Sequence, residues 1–186
     1  MIRLKKPQDL YKSISFLIAI RNSGSEKKLK IASNQPKTIS GIIRGQELDL
    51  FDMREKRKPS QQQVIDSYAL KTGALFSHCC YSGGILGEAD KNELSILENI
   101  GTDIGIFYQI KDDIKDKLSK EEEIGKPVGQ DKDRWTLIDI VGLRRTKTIM
   151  EEYENKIKTN FGRLKNNSRE ISYLESVLCD MSNKKI

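Results

Sequence analysis

The sequence predicts an all-α fold, and three observations predict it. Apolar residues recur at three- and four-residue spacing in segment after segment. Strict alternation of the kind a half-buried strand needs is scarce, and no internal repeat is present. The periodic segments are separated by polar, glycine- and proline-containing breaks, two of which carry helix-start signals.

The segments follow in order. The first, Gln8 to Arg21, carries Leu10, Ile14, Leu17 and Ile18 at helical spacing and ends in Asn22-Ser23-Gly24-Ser25. The second spans about Pro36 to Phe51, with Ile39, Ile42, Ile43, Leu48 and Leu50. Gly41 and Gly45, four apart, leave one smooth side where a helix or a ligand can approach closely. A charged loop from Arg54 to Pro59 follows. Ser60 with Gln63 has the form of a capping box and opens the third segment, Gln61 to about Gly83, which Gly83-Gly84 and Gly87 weaken or end. Asp90 with Glu93 repeats that signal ahead of the fourth segment, Glu93 to Leu118, the strongest helix in the chain. After Gly125, Pro127 and Gly129 comes a fifth segment, Thr136 to about Leu164, charged beyond Gly142. Periodicity alone leaves open a strand at Leu137 to Val141. The sixth segment, Arg169 to Met181, puts Ile171, Leu174, Val177 and Leu178 on one face.

Composition narrows the function classes. The 186 residues are 37% hydrophobic and 32% charged, enough for one domain with a core. The net charge of +6 suits phosphates, nucleic acid or an anionic surface and selects none of them. Cys79, Cys80 and Cys179 form neither a disulfide framework nor a CxxC pair, and read as small apolar side chains in a reducing compartment. His78 is the only histidine, which argues against a zinc site or a Cys/His nucleophile. No apolar run approaches the ~20 residues of a membrane span, so a cytoplasmic protein is expected.

The chemistry concentrates in Tyr108-Gln109-Ile110-Lys111-Asp112-Asp113-Ile114-Lys115-Asp116. On a helix the three aspartates lie on one side, with Gln109 a turn earlier. Their mutual repulsion, about 0.2–0.5 kcal/mol per pair on an exposed helix, is relieved by a hard cation. Magnesium shared with substrate phosphates fits best. A solvated acidic turn, eased by Lys111, Lys115 and Lys117, is the alternative for the motif alone. Downstream, Gly125-Lys126-Pro127-Val128-Gly129-Gln130-Asp131 supplies a curved backbone, a phosphate-seeking lysine and a further carboxylate for the metal shell or its surround. Upstream, Lys71-Thr72-Gly73-Ala74-Leu75 sets a lysine among small residues in an apolar helix, facing solvent or a polar cleft. Earlier still, Gln46 and Asp49 share a helix face.

These four motifs, in this order, resemble the polyprenyl synthetase family, the trans-isoprenyl diphosphate synthases. The resemblance covers roughly residues 36–145 well and the flanks loosely. It implies a bundle of mostly antiparallel helices around a central cavity, with the whole of residues 1–186 as one partial domain. It also implies a transferase of isoprenoid biosynthesis that condenses isopentenyl diphosphate with an allylic diphosphate by Mg2+-assisted ionisation. Residue by residue, Asp112, Asp113, Asp116 and Asp131 would serve the metal, with Asp112 the strongest candidate. Lys71, Lys126 and Gln46 would serve the diphosphate. Lys71, Thr72 and Gln109 would sit at the reacting carbon. A homodimer, or a pairing with a complete synthase, is the implied assembly.

The chain departs from the family pattern in two places. The family's first aspartate motif is absent from Met1 to Arg44. The stretch after Asp131 is short, and Arg134 is the cation in place of the usual lysine, a different donor geometry. Independent catalysis is therefore not expected of this chain. The alternative is a non-catalytic fragment or a regulatory subunit, with apolar faces left bare unless a partner covers them. A basic nucleic-acid-binding protein, resting on Arg144, Arg145 and Lys147, has no motif or aromatic platform in its favour.

Overall fold

The computed structural model describes residues 24–124 and 134–164, together with Ser176. Among these residues every regular element is helical: α1 (Ser25–Arg54), α2 (Gln61–Tyr68), a π-helical turn (Ala69–Gly73), α3 (Ala74–Leu86), α4 (Lys91–Ile124) and α5 (Leu137–Gly162). The first segment of the sequence reading and, apart from Ser176, the sixth, together with Lys126 and Asp131, lie outside the described residues.

Helix starts follow the local signals. Ser60 Oγ accepts from the Gln63 N–H, and the Gln63 side chain accepts from the Ser60 N–H. Asp90 and Glu93 make the same reciprocal pair at 2.9 and 3.0 Å. A third box, Thr136 with Asp139, starts α5. It resolves Leu137–Val141 as helix, leaving no strand there. The helical path then breaks at Gly142, whose φ of 77° is costly for any residue with a side chain.

Two boundaries differ from the sequence reading. Helix α1 begins at Ser25 and runs through Pro36. Proline removes one backbone bond to the preceding turn. Helix on both sides of it is held by packing, with Ile31 and Thr38 buried. The glycine pair Gly83-Gly84 does not end α3, which continues to Leu86. Gly84 is instead a packing site: a Cβ there would lie 2.7 Å from side-chain carbons of Leu94 and Leu97. At the end of α3, Lys27 donates to the Leu86 carbonyl at 3.1 Å and pairs with Glu88 at 2.9 Å.

Helix α4 is the central element, packed by α3 on one side and α5 on another, with α1 on the far side of α3. Its inward stripe is Ile96, Ile100, Phe107, Ile110 and Ile114, the last four with no exposed surface. Helix α5 answers with Leu137, Ile149, Tyr153, Ile157 and Phe161, and α2 with Val64, Ile65 and Tyr68. Each such side chain contributes about 1.5–3 kcal/mol by leaving water. The outward face of α1 is bare. Leu29, Ile39, Ile43, Leu50 and Phe51 are all exposed, and a shallow groove runs along Pro36, Ile39, Ile43, Arg44 and Glu47.

Candidate diphosphate site

Three helices meet at the π-turn, and glycines let them meet. A Cβ on Gly45 of α1 would sit 2.6 Å from the Lys71 backbone nitrogen. On α4, a Cβ on Gly105 would sit 2.5 Å from Gly73 Cα, and one on Gly101 would sit 2.5 Å from the Phe76 carbonyl oxygen. The smooth side expected of Gly41 and Gly45 is thus turned to a neighbouring helix. Residues Ala69-Leu70-Lys71-Thr72-Gly73 occupy the π-turn itself. Such a turn carries one extra residue in its ring and leaves backbone groups less regularly paired, which is why it often marks a functional position.

Lys71 is partly buried and ion-paired. Its Nζ pairs with Asp49 Oδ2 at 3.0 Å, and its side chain is 26% exposed. Asp49 also accepts from the Ser67 hydroxyl. Gln46 stands three residues before Asp49 on α1 and is exposed. Next to Lys71, Thr72 Oγ1 meets Gln109 Oε1 of α4 at 3.2 Å.

The aspartate motif divides into two pairs. Asp112 and Asp116, one turn apart, are exposed. Asp113 is only 3% exposed and shares the buried side with Gln109, which is 9% exposed. The expectation that all three present one surface is corrected here. Asp113 is flanked by Ile110 and Ile114, both wholly buried, so its side chain enters the protein with them.

Asp113 is the centre of a buried polar network. Gln109 Nε2 donates to its Oδ1 at 3.4 Å. The Tyr68 hydroxyl donates to its Oδ2 at 2.5 Å and accepts from the Leu137 N–H at 3.0 Å. Arg134 Nη2 pairs with its Oδ1, and the guanidinium lies 5.8 Å from the centre of the Tyr68 ring. Burial pushes the Asp113 carboxyl up, against Arg134 and the three hydrogen bonds that favour its ionised form. Burial also pushes the Tyr68 hydroxyl up, reinforced by Asp113. Burial acts against the Arg134 charge, but Asp113, Tyr68 and Asp49 outweigh it and hold the guanidinium protonated.

For a divalent cation, the described residues offer Asp112 and Asp116. No cluster of three or more His, Cys, Asp or Glu side chains stands ready for a metal among them. Two carboxylates on one exposed turn fit magnesium, which commonly takes one or two protein carboxylates and completes its shell with water and phosphate.

Sequence reasoning missed Tyr68, Ser67, Gly101, Gly105 and the π-turn. Tyr68 falls on the same stripe as Val64 and Ile65, which reads as core. Nothing in one dimension joins it to an aspartate 45 residues away.

The comparisons with known proteins bear on the family and the fold. The pattern of the Polyprenyl synthetase family matches residues 9–176. A short chain isoprenyl diphosphate synthase of Methanothermobacter thermautotrophicus is 31% identical over 165 residues, covering 78% of this chain and 50% of that protein. A farnesyl diphosphate synthase of Bacillus subtilis is 29% identical over 144 residues, covering 75% of this chain and 48% of that protein. The crystal structure of a geranyltranstransferase from Thermotoga maritima superposes with a TM-score of 0.67 at 25% identity, over 82% of this chain and 51% of that one. The chain thus spans about half the length of the curated relatives it matches. Family, all-α fold and ordered motifs point the same way: this chain belongs to the polyprenyl synthetase family.

Proposed function

We propose that this chain supplies the diphosphate- and magnesium-holding part of a prenyltransferase site, where an allylic diphosphate is condensed with isopentenyl diphosphate in isoprenoid biosynthesis. The observation that carries the reading is the junction of the π-turn with α4. Lys71 is held at 3.0 Å by Asp49. Its neighbour Thr72 touches Gln109, which stands three residues before the exposed Asp112.

The roles follow from the chemistry of each side chain. Lys71 would bind diphosphate oxygens as a point charge. Asp49 already compensates that charge, which keeps the ammonium from lying buried alone. Thr72 and Gln109 would line the wall beside the reacting carbon. Asp112 and Asp116 would hold magnesium, with Asp112 the principal ligand. Bound there, the metal would supply charge neutralisation for the departing diphosphate. Gln46 would brace the diphosphate from α1; Lys126 and Asp131, outside the described residues, would by the family resemblance add a diphosphate contact and a metal carboxylate.

A second reading has its own support. The 186 residues contain a single DDxxD motif, and the outer face of α1 is apolar and bare. The bare apolar face suits a subunit that pairs with a second synthase chain. Among the described residues no helix is long and apolar enough to cross a membrane.

The test is binding of geranyl diphosphate to the purified chain with and without magnesium, with Asp112→Ala as the control. Binding that needs magnesium and is lost in Asp112→Ala is expected. No binding by a sample shown to be folded would refute the reading.

A further inference from the structure

We propose that Asp113 and Arg134 form a positioning pair that fixes the orientation of the Gln109 carboxamide and anchors the start of α5 beside it. In this role Asp113 is not a metal ligand and Arg134 is not a phosphate contact. The inference rests on the proposed reading only in treating Gln109 as part of the substrate wall.

The argument is one of donors and acceptors. An ionised carboxylate can only accept. Asp113 already receives Gln109 Nε2, the Tyr68 hydroxyl and Arg134 Nη2. Three of its roughly four acceptor positions are filled, and it is 3% exposed. A cation would have to displace Arg134 to reach it. The direction of the Tyr68 bond is forced: Leu137 N–H can only donate, so the hydroxyl accepts there and sends its one proton to Asp113.

The same logic sets Gln109. Only its NH2 end can face a carboxylate, so its carbonyl oxygen must face the other way, toward Thr72 Oγ1. Asp113 therefore decides which end of the amide Gln109 presents beside Lys71 and Thr72. Arg134 supplies that carboxylate with an ion-pair partner inside the protein. It reaches Asp113 from three residues before the start of α5, whose first N–H is held by Tyr68. Chain order, burial and hydrogen bonding thus converge on one buried side chain, Asp113.

The experiment uses the full chain, 15N-labelled and free of metal, and reads the side-chain amide signal of Gln109, assigned by its loss in Gln109→Leu. The expected wild-type signal exchanges slowly with solvent. Slow exchange should persist in Asp112→Asn and be lost in Asp113→Asn and Arg134→Leu. Arg134→Lys, which keeps the charge, should restore part of it. An unchanged signal in Asp113→Asn overturns the proposal. If Asp113→Asn does not fold, the Arg134→Leu and Arg134→Lys comparison decides, and identical signals in those two overturn it. A magnesium titration of inorganic pyrophosphate binding then separates the roles. The magnesium needed for half-maximal binding should rise about tenfold or more in Asp112→Asn and stay near wild type in Asp113→Asn. An equal rise in both makes Asp113 a ligand and ends the proposal. If the wild type binds no pyrophosphate, the substrate reading fails, while the amide signal still decides the positioning pair.

Discussion

Gly105→Ala separates close helix packing from helix propensity by the sign of its effect. Alanine is the better helix former by about 0.8–1 kcal/mol, so on propensity alone the variant would gain stability. The structure opposes that gain. A Cβ at Gly105 would lie 2.5 Å from Gly73 Cα, 2.7 Å from Gly73 N and 3.0 Å from the Thr72 carbonyl carbon. Carbon atoms rest at roughly 3.5–4.0 Å, so α4 and the π-turn must separate by about 1 Å. All three obstacles are backbone, so no rotamer change relieves them. Overpacking of this kind costs about 1–3 kcal/mol, and the rigid contact places it at the upper end. The net loss is about 2 kcal/mol, or a melting temperature lower by about 4–8 °C at this chain length. Gly83→Ala is the matched control. It also sits within a helix, but nothing lies within 4 Å of a Cβ there, and it should gain about 0.5–1 kcal/mol. Thermal unfolding by circular dichroism reads both. If Gly105→Ala melts above wild type alongside Gly83→Ala, the close crossing of α4 with the π-turn is wrong.

Three further outcomes are expected. Tyr68→Phe leaves the Leu137 N–H and one Asp113 oxygen without their partner and should cost about 1–3 kcal/mol in chemical denaturation. A loss below a few tenths would mean that solvent reaches this network. His78 is buried, and burial holds its pKa below 6.5. The unfolded chain therefore takes up a proton first, and stability should fall as pH drops below about 6.5 and recover as it rises above. His78→Gln should flatten that dependence in pH-resolved melting. The Cys80 thiol is pushed up to about 12, chiefly by burial, while Cys79 is exposed. Iodoacetamide mapped by mass spectrometry should modify Cys79 well before Cys80 in the native chain, and denaturant should abolish the difference.

What the sequence reveals of this fold is what is written locally. The capping boxes at Ser60 and Asp90 are short-range patterns, and both form as read. The stripe of α4 is long enough for its 3.6-residue period to be unmistakable. Pro36 misleads because a proline is a sound start signal, and here burial of Ile31 and Thr38 carries the helix across it. The aspartates show the same limit at the site. Spacing places Asp112, Asp113 and Asp116 within one arc, but only the position of the core decides which of them is inside. That depends on Tyr68 and Arg134, 45 and 21 residues away. The pairing of Lys71 with Asp49 across 22 residues is likewise a product of the fold, although both residues stand out in the sequence.

The π-turn makes the placement of Lys71 depend on residue count as well as on chemistry. Removing one residue from Ala69–Gly73 would let α2 and α3 join as one regular helix. Each residue of an α-helix turns the chain by about 100°. Because the π-turn absorbs its extra residue within one turn, α3 would keep nearly its present phase against Val64, Ile65 and Tyr68, and only the residues of the turn itself, Lys71 among them, would change face by about that angle. A single-codon deletion here would leave the core pairs of α2 and α3 largely in register and re-aim Lys71, so its effect would show at the site before it showed in stability. The converse also holds. A chain that keeps the ALKTG sequence but gains or loses one residue beside it would retain the motif and lose the site.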